Sequence, residues 1–306
     1  MGTQCYNKVK IVVILGPTAS GKSSLAVKLA KRFNGEVVSA DSRQVYKGMD
    51  IGSGKITKDE MMGIPHHLLD VASPKRNFSV GKYQKIATNI IFDIARRNKT
   101  PILCGGTAFY IKAITEGMNL PKTKPDWKLR KKLERMKTED LYRMLKKLDP
   151  RRASKIEKNN PRRLIRAIEI TSKSERPVPL MKKTPQFISL KLGMKRENLD
   201  KIIKKRLEER LRGGMIEETK RLRKSGISWK RLEGFGLEYR WTARYLQGKI
   251  SYDEMVRLLY ADIVRFSKKQ LAWYKGDDTV EWIGMYQKAV PLVKDFLQKK
   301  ERQSSL

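Results

Sequence analysis

The sequence is poor in cysteine and histidine. Its 306 residues include two cysteines, Cys5 and Cys104, and two histidines, His66 and His67. Two cysteines can form at most one disulfide bond, and we do not expect so small a set to build a zinc finger. We therefore expect neither disulfide bonds nor zinc to shape the fold.

The sequence also lacks a long apolar run. No stretch approaches the roughly 18 residues needed to cross a bilayer, and residues 1–10 contain no apolar core of a signal peptide. Hydrophobic residues still make up 40% of the chain, with a mean hydropathy of −0.57, which is enough for a packed core. We expect a cytoplasmic monomer without membrane association, with two domains or one enlarged domain.

Acidic residues are scarce beside basic ones. The chain has 68 lysines and arginines against 32 aspartates and glutamates, a formal net charge of +36. The surplus is densest in residues 121–185, with 22 basic and 8 acidic residues. Such a surface attracts polyanions and favours nucleic acid as the large partner. From composition alone, a highly charged solvated surface stays an equal alternative.

Short apolar runs alternate with helical patterns in the first third of the chain, which is typical of a parallel α/β sheet. Strands are predicted at Val9–Leu15, 37–40 and 101–104, and a helix at 78–97, where apolar residues recur at helical spacing.

Two breaks rich in lysine and proline, 120–125 and 176–185, divide the rest of the chain. The pattern between them is helical, and residues 187–192 alternate as a strand does. We therefore predict an α/β fold whose core is formed by residues 1–120 and 186–306 and is interrupted by a mainly helical insert, 121–185. The last eight residues predict a short disordered tail.

A phosphate-binding loop, or P-loop, is predicted between the first strand and an amphipathic helix. Its residues are Gly16, Pro17, Thr18, Ala19, Ser20, Gly21, Lys22 and Ser23. The glycines let backbone N–H groups surround phosphate oxygens, and the lysine neutralises the outer phosphate. The Ser23 hydroxyl is the expected ligand of Mg²⁺. The core is therefore predicted to be a P-loop-containing parallel sheet.

The strand ends near this loop differ from those of an ATPase, which usually has an aspartate after a later strand to hold Mg²⁺. The third predicted strand ends instead in a Gly-Gly-Thr sequence, 105–107. The second is followed by Asp41 and the polar residues 42–44. Because strand ends meet at one edge of a doubly wound sheet, Asp41 can lie near the phosphates. The alternative for Asp41 is a capping role in a turn or helix.

Further segments carry a family resemblance along nearly the whole chain. They are 41–52, 63–70, 105–107, 160–169, Arg206 with Gly214, and 265–274. Together with the P-loop, these segments resemble the tRNA dimethylallyltransferases, also called tRNA isopentenyltransferases. The resemblance implies a prenyltransferase that moves a dimethylallyl group from dimethylallyl diphosphate to the exocyclic amine of the tRNA adenosine on the 3′ side of the anticodon. The P-loop would then bind the donor diphosphate with Mg²⁺.

Three catalytic residues follow from the resemblance. Asp41 is expected to be the general base, or the hydrogen-bond acceptor, for the adenine amine. Thr18 is expected at the leaving oxygen, and Arg206 beside the departing diphosphate. From the residues alone, loop packing stays open for Thr18, as does a solvated helix surface for Arg206.

The resemblance also implies contacts with the anticodon stem-loop of tRNA. The expected contact residues are Asp41, Ser42, Arg43, Gln44, Thr107, Arg130, Arg162, Arg163, Leu164, Ile165 and Arg166. Arginine suits this role because its plane stacks on bases and its fork grips phosphate. A solvated helix face is the alternative for 162–166, whereas the basic insert as a whole is expected to clamp the stem-loop.

Two other functions stay open at this point. One is a P-loop kinase of a small hydroxylated metabolite, which leaves the net charge unexplained, and the other is an RNA-binding protein with a vestigial loop. His66 and His67 are expected to pack or hydrogen-bond, because adjacent side chains in a strand point apart. Leu237 stands where the family usually has a tyrosine, so the RNA contact of that tyrosine is in question.

Overall fold

The strands form one sheet in which every neighbouring pair is parallel. A computed structural model describes residues 8–121, 123–174, 177–179 and 182–299. Within these residues, the strands are β1 Val9–Leu15, β2 Gly35–Ser39, β3 His66–His67, β4 Thr100–Gly105, β5 Phe187–Met194 and β6 Val280–Ile283. Their order in the sheet is β3-β2-β4-β1-β5-β6. The predicted α/β fold with a parallel sheet is confirmed.

Strand β1 lies at the centre of the sheet and is buried on both faces. Val12 of β1 is in register with Ile102 of β4 and Leu190 of β5. Ile11, Val13 and Leu15 contribute to the apolar core on one face, while Val12 and Ile14 contribute to the core on the other. This alternation follows from the two-residue period of a strand, and burial on both faces is what all-parallel sheets require.

Helices cover both faces of the sheet. In the first part of the chain they are α1 Lys22–Arg32, α2 Lys58–Met61, α3 Val80–Arg96 and α4 Ala108–Thr115. Apolar side chains of α1 belong to the core that contains Val12 and Ile14, and those of α3 and α4 to the core that contains Ile11 and Val13. The helix predicted at 78–97 is therefore present as α3, which begins after the side chain of Ser79 caps the N–H of Lys82.

The second unit of the chain, Met118–Thr184, is separate from the unit formed by the residues up to Gly117 and from Pro185 onward. Its helices are α5 Trp127–Leu133, α6 Thr138–Leu148, α7 Pro150–Lys155 and α8 Pro161–Ser174. An apolar core of its own includes Leu133, Leu141, Leu145 and Leu164. The two ends of the unit pair with each other, since Met118 forms an antiparallel bridge with Lys183.

The remaining helices belong to the unit that contains the sheet. They are α9 Leu199–Arg212, α10 Met215–Lys224, α11 Trp229–Phe235, α12 Leu237–Leu246, α13 Tyr252–Lys275 and α14 Tyr286–Gln298. Among the described residues, no helix is both long and apolar enough to span a bilayer. Cys104 is a free, buried thiol, whereas Cys5 and all of the predicted tail except Lys299 lie outside the described residues.

Candidate active site

The P-loop adopts a tight turn between β1 and α1 that depends on its glycines. Gly16 has a φ of 144°, and a Cβ atom there would lie 2.9 Å from the carbonyl oxygen of Met194 at the end of β5. Gly21 has a φ of 91° and directly precedes α1. Both glycines therefore hold a backbone that an L side chain would strain, and the loop leads directly into the N-terminus of α1, where anions bind favourably.

The ammonium of Lys22 lies within the curve of this loop. Its Nζ donates a hydrogen bond to the carbonyl oxygen of Pro17 at 2.6 Å. Burial lowers the pKa of Lys22 to about 8, against the opposing influence of Cys104 and Asp41, and the positive charge of Arg206 lowers it further. A bound diphosphate would supply a negative counter-charge for this ammonium.

Asp41 follows β2, and one of its carboxylate oxygens caps a turn. Its Oδ1 accepts hydrogen bonds from the backbone N–H groups of Arg43 at 2.7 Å and Gln44 at 3.3 Å. The capping role considered for Asp41 is therefore present, in a turn instead of a helix. Its Oδ2 accepts no hydrogen bond from the described residues, so the cap fixes the carboxylate and leaves one oxygen free for a ligand.

The turn after β2 is tied to the end of β4. The N–H of Ser42 donates to the Thr107 hydroxyl at 3.0 Å, and the N–H of Thr107 donates to the carbonyl of Ala40 at 3.1 Å. Gln44 extends the connection, because its amide donates to the carbonyl of Gly54 at 3.2 Å. Two strand ends that are neighbours in the sheet thus hold Asp41 and Thr107 in one hydrogen-bonded network.

Gln270 of α13 connects the P-loop to the loop after β4. Its Oε1 accepts a hydrogen bond from the N–H of Thr18 at 2.8 Å, and its Nε2 donates to the carbonyl of Gly106 at 2.9 Å. Gly106 leaves room for this amide, since a Cβ atom there would overlap it. The sequence did not indicate this role, although Gln270 lies within the segment 265–274.

A cavity of about 970 Å³ opens over the carboxyl edge of the sheet. The predicted site residues that line it are Thr18, Ala19, Gly21, Lys22, Ser23, Asp41, Ser42, Arg43, Gln44, Thr107 and Arg206. Gly16, Pro17 and Ser20 form the loop without lining the cavity. The site residues from β1, β2, β4 and α9 are therefore brought together as a single site.

Arginines that were not predicted also line this cavity. Arg196 follows β5, and its Nη1 would lie 3.5 Å from a Cβ atom at Gly21, next to the P-loop. Arg210 pairs with the buried Glu238 at 2.9 Å. Burial and the like charge of Arg210 lower the pKa of Arg206. The cavity beside the P-loop is therefore lined by several cationic side chains, which favour an anionic ligand.

Leu237 lies at the same cavity. It is the first residue of α12, has a φ of 40°, and packs partly buried against the apolar cluster that contains Ile203. An apolar side chain at the tyrosine position therefore closes the cavity wall by packing and offers no hydrogen bond there.

The predicted contact residues of the 118–184 unit divide into three groups. Arg162 and Arg163 are exposed, and Arg163 pairs with Glu157 at 3.3 Å. Arg130 and Arg166 both bind the buried carboxylate of Glu169. Leu164 and Ile165 are 0% and 7% exposed. These two side chains pack in the core of the unit, on the face of α8 opposite its exposed arginines, and the contact of these residues with RNA stays a prediction.

The histidine pair forms hydrogen bonds. His66 Nδ1 lies 2.8 Å from the carbonyl oxygen of Ile64, and His67 Nε2 lies 2.8 Å from Glu36. Glu36 also binds Arg97 and Lys99, and the hydrogen bonds from these partners hold its pKa well below the usual value. Among the described residues, no cluster of three or more His, Cys, Asp or Glu side chains could hold a metal ion.

Comparison with known proteins gives the family of the chain. A family model described as IPP transferase matches residues 44–277. A tRNA dimethylallyltransferase of Caldanaerobacter subterraneus is 41% identical over 287 residues, which are 90% of this chain and 91% of that protein.

Solved structures agree with this relationship. A full-length tRNA isopentenylpyrophosphate transferase from Bacillus halodurans matches at a TM-score of 0.70 and 36% identity, over 95% of this chain and 96% of that chain. A eukaryotic dimethylallyltransferase acting on tRNA matches at a TM-score of 0.80 and 26% identity, over 96% of this chain and 81% of that chain. The chain belongs to the IPP transferase family, whose members matched here are tRNA dimethylallyltransferases.

Proposed function

We propose that the protein transfers a dimethylallyl group from dimethylallyl diphosphate to the exocyclic amine of the tRNA adenosine on the 3′ side of the anticodon. The observation that carries this proposal is that the P-loop, Asp41 and Arg206 line one cavity. This cavity combines a site for a leaving diphosphate with a fixed carboxylate. Identity of 36–41% with a tRNA isopentenylpyrophosphate transferase and a tRNA dimethylallyltransferase supports the proposed substrates.

The P-loop side of the cavity would bind the donor diphosphate. Negative charge accumulates on the diphosphate as the allylic carbon–oxygen bond breaks, and fixed N–H groups, Lys22 and Arg206 would stabilise it. Thr18 would contact the leaving oxygen, because its N–H is held by Gln270 and its side chain lines the cavity. Arg196, beside Gly21, would add a further cation on the same side.

Mg²⁺ fits this arrangement as a cofactor bound mainly through the substrate. Mg²⁺ is usually held by one or two protein oxygens together with phosphate oxygens and water. Ser23, at the start of α1, has an exposed side chain lining the cavity and would be the protein ligand. The ion would offset diphosphate charge, while the residues of the chain position the donor.

Asp41 would act on the adenine side. The amine is a weak nucleophile because its lone pair is delocalised into the ring, so proton removal and departure of the diphosphate must assist its attack. As the nitrogen–carbon bond forms and the carbon–oxygen bond breaks, the amine proton would move to the free oxygen of Asp41. The hydrogen bonds from Arg43 and Gln44 would keep the carboxylate in position for this step.

The target adenosine must leave the stack of the anticodon loop to reach this cavity, at a cost of a few kcal/mol. Ser42, Arg43, Gln44 and Thr107 would contact the extruded nucleotide, because they lie in the same network as Asp41. In the 118–184 unit, the exposed Arg162 and Arg163 are the best placed predicted residues to contact tRNA phosphates.

The experiment that tests this function supplies the protein with Mg²⁺, unmodified tRNA and labelled dimethylallyl diphosphate, beside a reaction with ATP. We expect label in tRNA and no ATP consumption. ATP consumption without labelled tRNA would favour the P-loop kinase. RNA binding without turnover would favour a vestigial loop.

A further inference from the structure

An exposed tryptophan marks the first turn of helix α5 in the 118–184 unit. The Trp127 side chain is 60% exposed, more than is usual for an indole, which has a large apolar surface to bury. Its helix presents Leu129 and Leu133 to the core of the unit, and helical spacing places Trp127 and Lys131 on the opposite side. Trp127 is therefore a surface residue and does not stabilise this core.

Ionic hydrogen bonds between Arg130 and the buried Glu169 fix the position of the Trp127 ring. The guanidinium of Arg130 lies over the indole ring, 5.1 Å from its centre. Arg130 in turn binds both oxygens of Glu169 at 2.8 and 2.7 Å, and Glu169 is 0% exposed. The ring thus rests on a charged side chain that is itself held rigidly, and a prearranged ring loses little side-chain entropy when it binds a partner.

The same network fixes the start of the helix. Glu169 accepts a hydrogen bond from the N–H of Asp126 at 2.5 Å and also binds Arg166. Burial would raise the pKa of Glu169, but the hydrogen bonds from Arg130, Asp126 and Arg166 outweigh it and lower the pKa. Glu169 is therefore ionised, and it fixes the helix that carries Trp127 against α8.

The charge around Trp127 identifies its partner. Helix α5 contains four basic residues and no acidic one, and the unit as a whole has 22 basic and 8 acidic residues. A rigid aromatic ring surrounded by cations suits an unpaired base with its phosphates, because every base has a face that can stack and a backbone that is anionic. A protein partner would need a strongly acidic surface to match the same charge.

We propose that Trp127 is a stacking platform for an unpaired nucleotide of the tRNA substrate, with Arg130 supporting the ring and Lys128 and Lys131 contacting the adjacent phosphates. The inference rests on the proposed function, because it takes tRNA as the substrate. It changes the role of Arg130, which was predicted to contact RNA directly. Arg130 is a positioning residue here, since its Nε and Nη2 donate to Glu169 while its guanidinium lies over the indole.

The test measures binding of a labelled anticodon stem-loop RNA to the full-length protein at several salt concentrations. Trp127→Phe keeps an aromatic face, whereas Trp127→Leu keeps an apolar side chain without one. We expect Trp127→Phe to bind nearly as well as the wild type. Trp127→Leu should bind about fivefold or more weakly, with an unchanged dependence on salt because no charge is removed. Leu148→Ala, which changes another exposed apolar residue of the unit, is the matched control and should bind as the wild type does.

Two results would overturn the stacking role. Either Trp127→Leu binds as tightly as the wild type, or Trp127→Phe is as weak as Trp127→Leu while thermal unfolding shows that both variants are folded. In either case, a wild-type protein that still binds the stem-loop and labels tRNA leaves the proposed function intact. A wild-type protein that does neither contradicts the proposed function itself, and the stacking role with it.

Discussion

The side-chain oxygen of Gln270 accepts a hydrogen bond from the backbone N–H of Thr18 at 2.8 Å. The two residues are 252 positions apart in the chain. Through this bond, the long helix α13 holds the P-loop, and through its amide nitrogen it also holds Gly106 after β4. The position of Thr18, which is expected to contact the leaving oxygen, therefore depends on a helix far along the chain.

Replacing this glutamine tests the connection. Gln270→Leu leaves the Thr18 N–H and the Gly106 carbonyl without a partner, and we expect it to lower the free energy of unfolding by about 1–3 kcal/mol. Affinity for inorganic pyrophosphate with Mg²⁺ should fall as well, because the loop loses its anchor. Urea unfolding and calorimetric titration measure the two effects. Gln287→Leu, at an exposed position of α14, is the control.

The pH dependence of pyrophosphate binding tests the environment of Lys22. Its pKa of about 8 in the free protein lies below the usual 10.5 because of burial. A bound diphosphate stabilises the charged ammonium and raises that pKa, so binding takes up a proton at a pH above 8. Below pH 8, the ionisation of Lys22 should not affect the affinity for pyrophosphate. Above pH 8, the affinity should decrease by up to about tenfold per pH unit.

The control for this prediction is Lys22→Arg. A guanidinium stays protonated across the range, so the variant reports only the ionisation of pyrophosphate itself. A wild-type protein whose affinity follows pH in the same way as Lys22→Arg would show that Lys22 does not titrate in the free site.

The parts of the fold that follow from local sequence were predictable. Strand Val9–Leu15 is a continuous apolar run, and the P-loop after it has a fixed pattern of glycine and lysine, so both were placed correctly. Strands β3 and β6 were not predicted, because β3 has two residues and β6 has the exposed Glu281 at a position inside it. Strands as short as β3 and β6 form because of their pairing with neighbouring strands in the sheet, which the local sequence does not show.

From the residues alone, the candidate site was predictable at the P-loop motif and where residues follow strand ends, and the family resemblance added the other site residues. Asp41 was found in this way, since parallel strands end at one edge of the sheet, whereas Thr107 was expected from the family resemblance. Arg196 lies two residues beyond the end of β5, but its approach to Gly21 depends on the three-dimensional pairing of β5 with β1. The whole segment 162–166 was assigned one role, although the side chains of Leu164 and Ile165 belong to the core of their unit.

The network around Glu169 predicts a stability effect in the 118–184 unit. Glu169→Ala removes the shared partner of Arg130 and Arg166, whose side chains are 24% and 34% exposed. We expect the free energy of unfolding to fall by about 3 kcal/mol. This value is at the low end of the usual cost of removing one partner of a buried ion pair, because both arginines keep some contact with water. Urea unfolding of Glu139→Ala, an exposed carboxylate of the same unit, should change little.

Removing the basic unit tests its contribution to RNA binding. Because Asn119 donates a backbone hydrogen bond to Lys182 at 3.0 Å, the two ends of the unit lie side by side, and a short linker can replace residues 121–184. We expect the shortened protein to bind tRNA more weakly and with a flatter dependence on salt, since fewer phosphates are neutralised. An unchanged salt dependence would show that this unit does not contact the RNA backbone.

Single-turnover transfer by Asp41→Asn tests the central claim, which is that this carboxylate accepts the amine proton. Asparagine keeps an oxygen that can cap the turn through Arg43 and Gln44, but it has no negative charge. We expect the rate of label transfer from dimethylallyl diphosphate to tRNA to fall by about 10²–10⁴-fold, with pyrophosphate and tRNA binding retained, whereas Asp93→Asn on α3 transfers at the wild-type rate. Transfer by Asp41→Asn at the wild-type rate would contradict the claim.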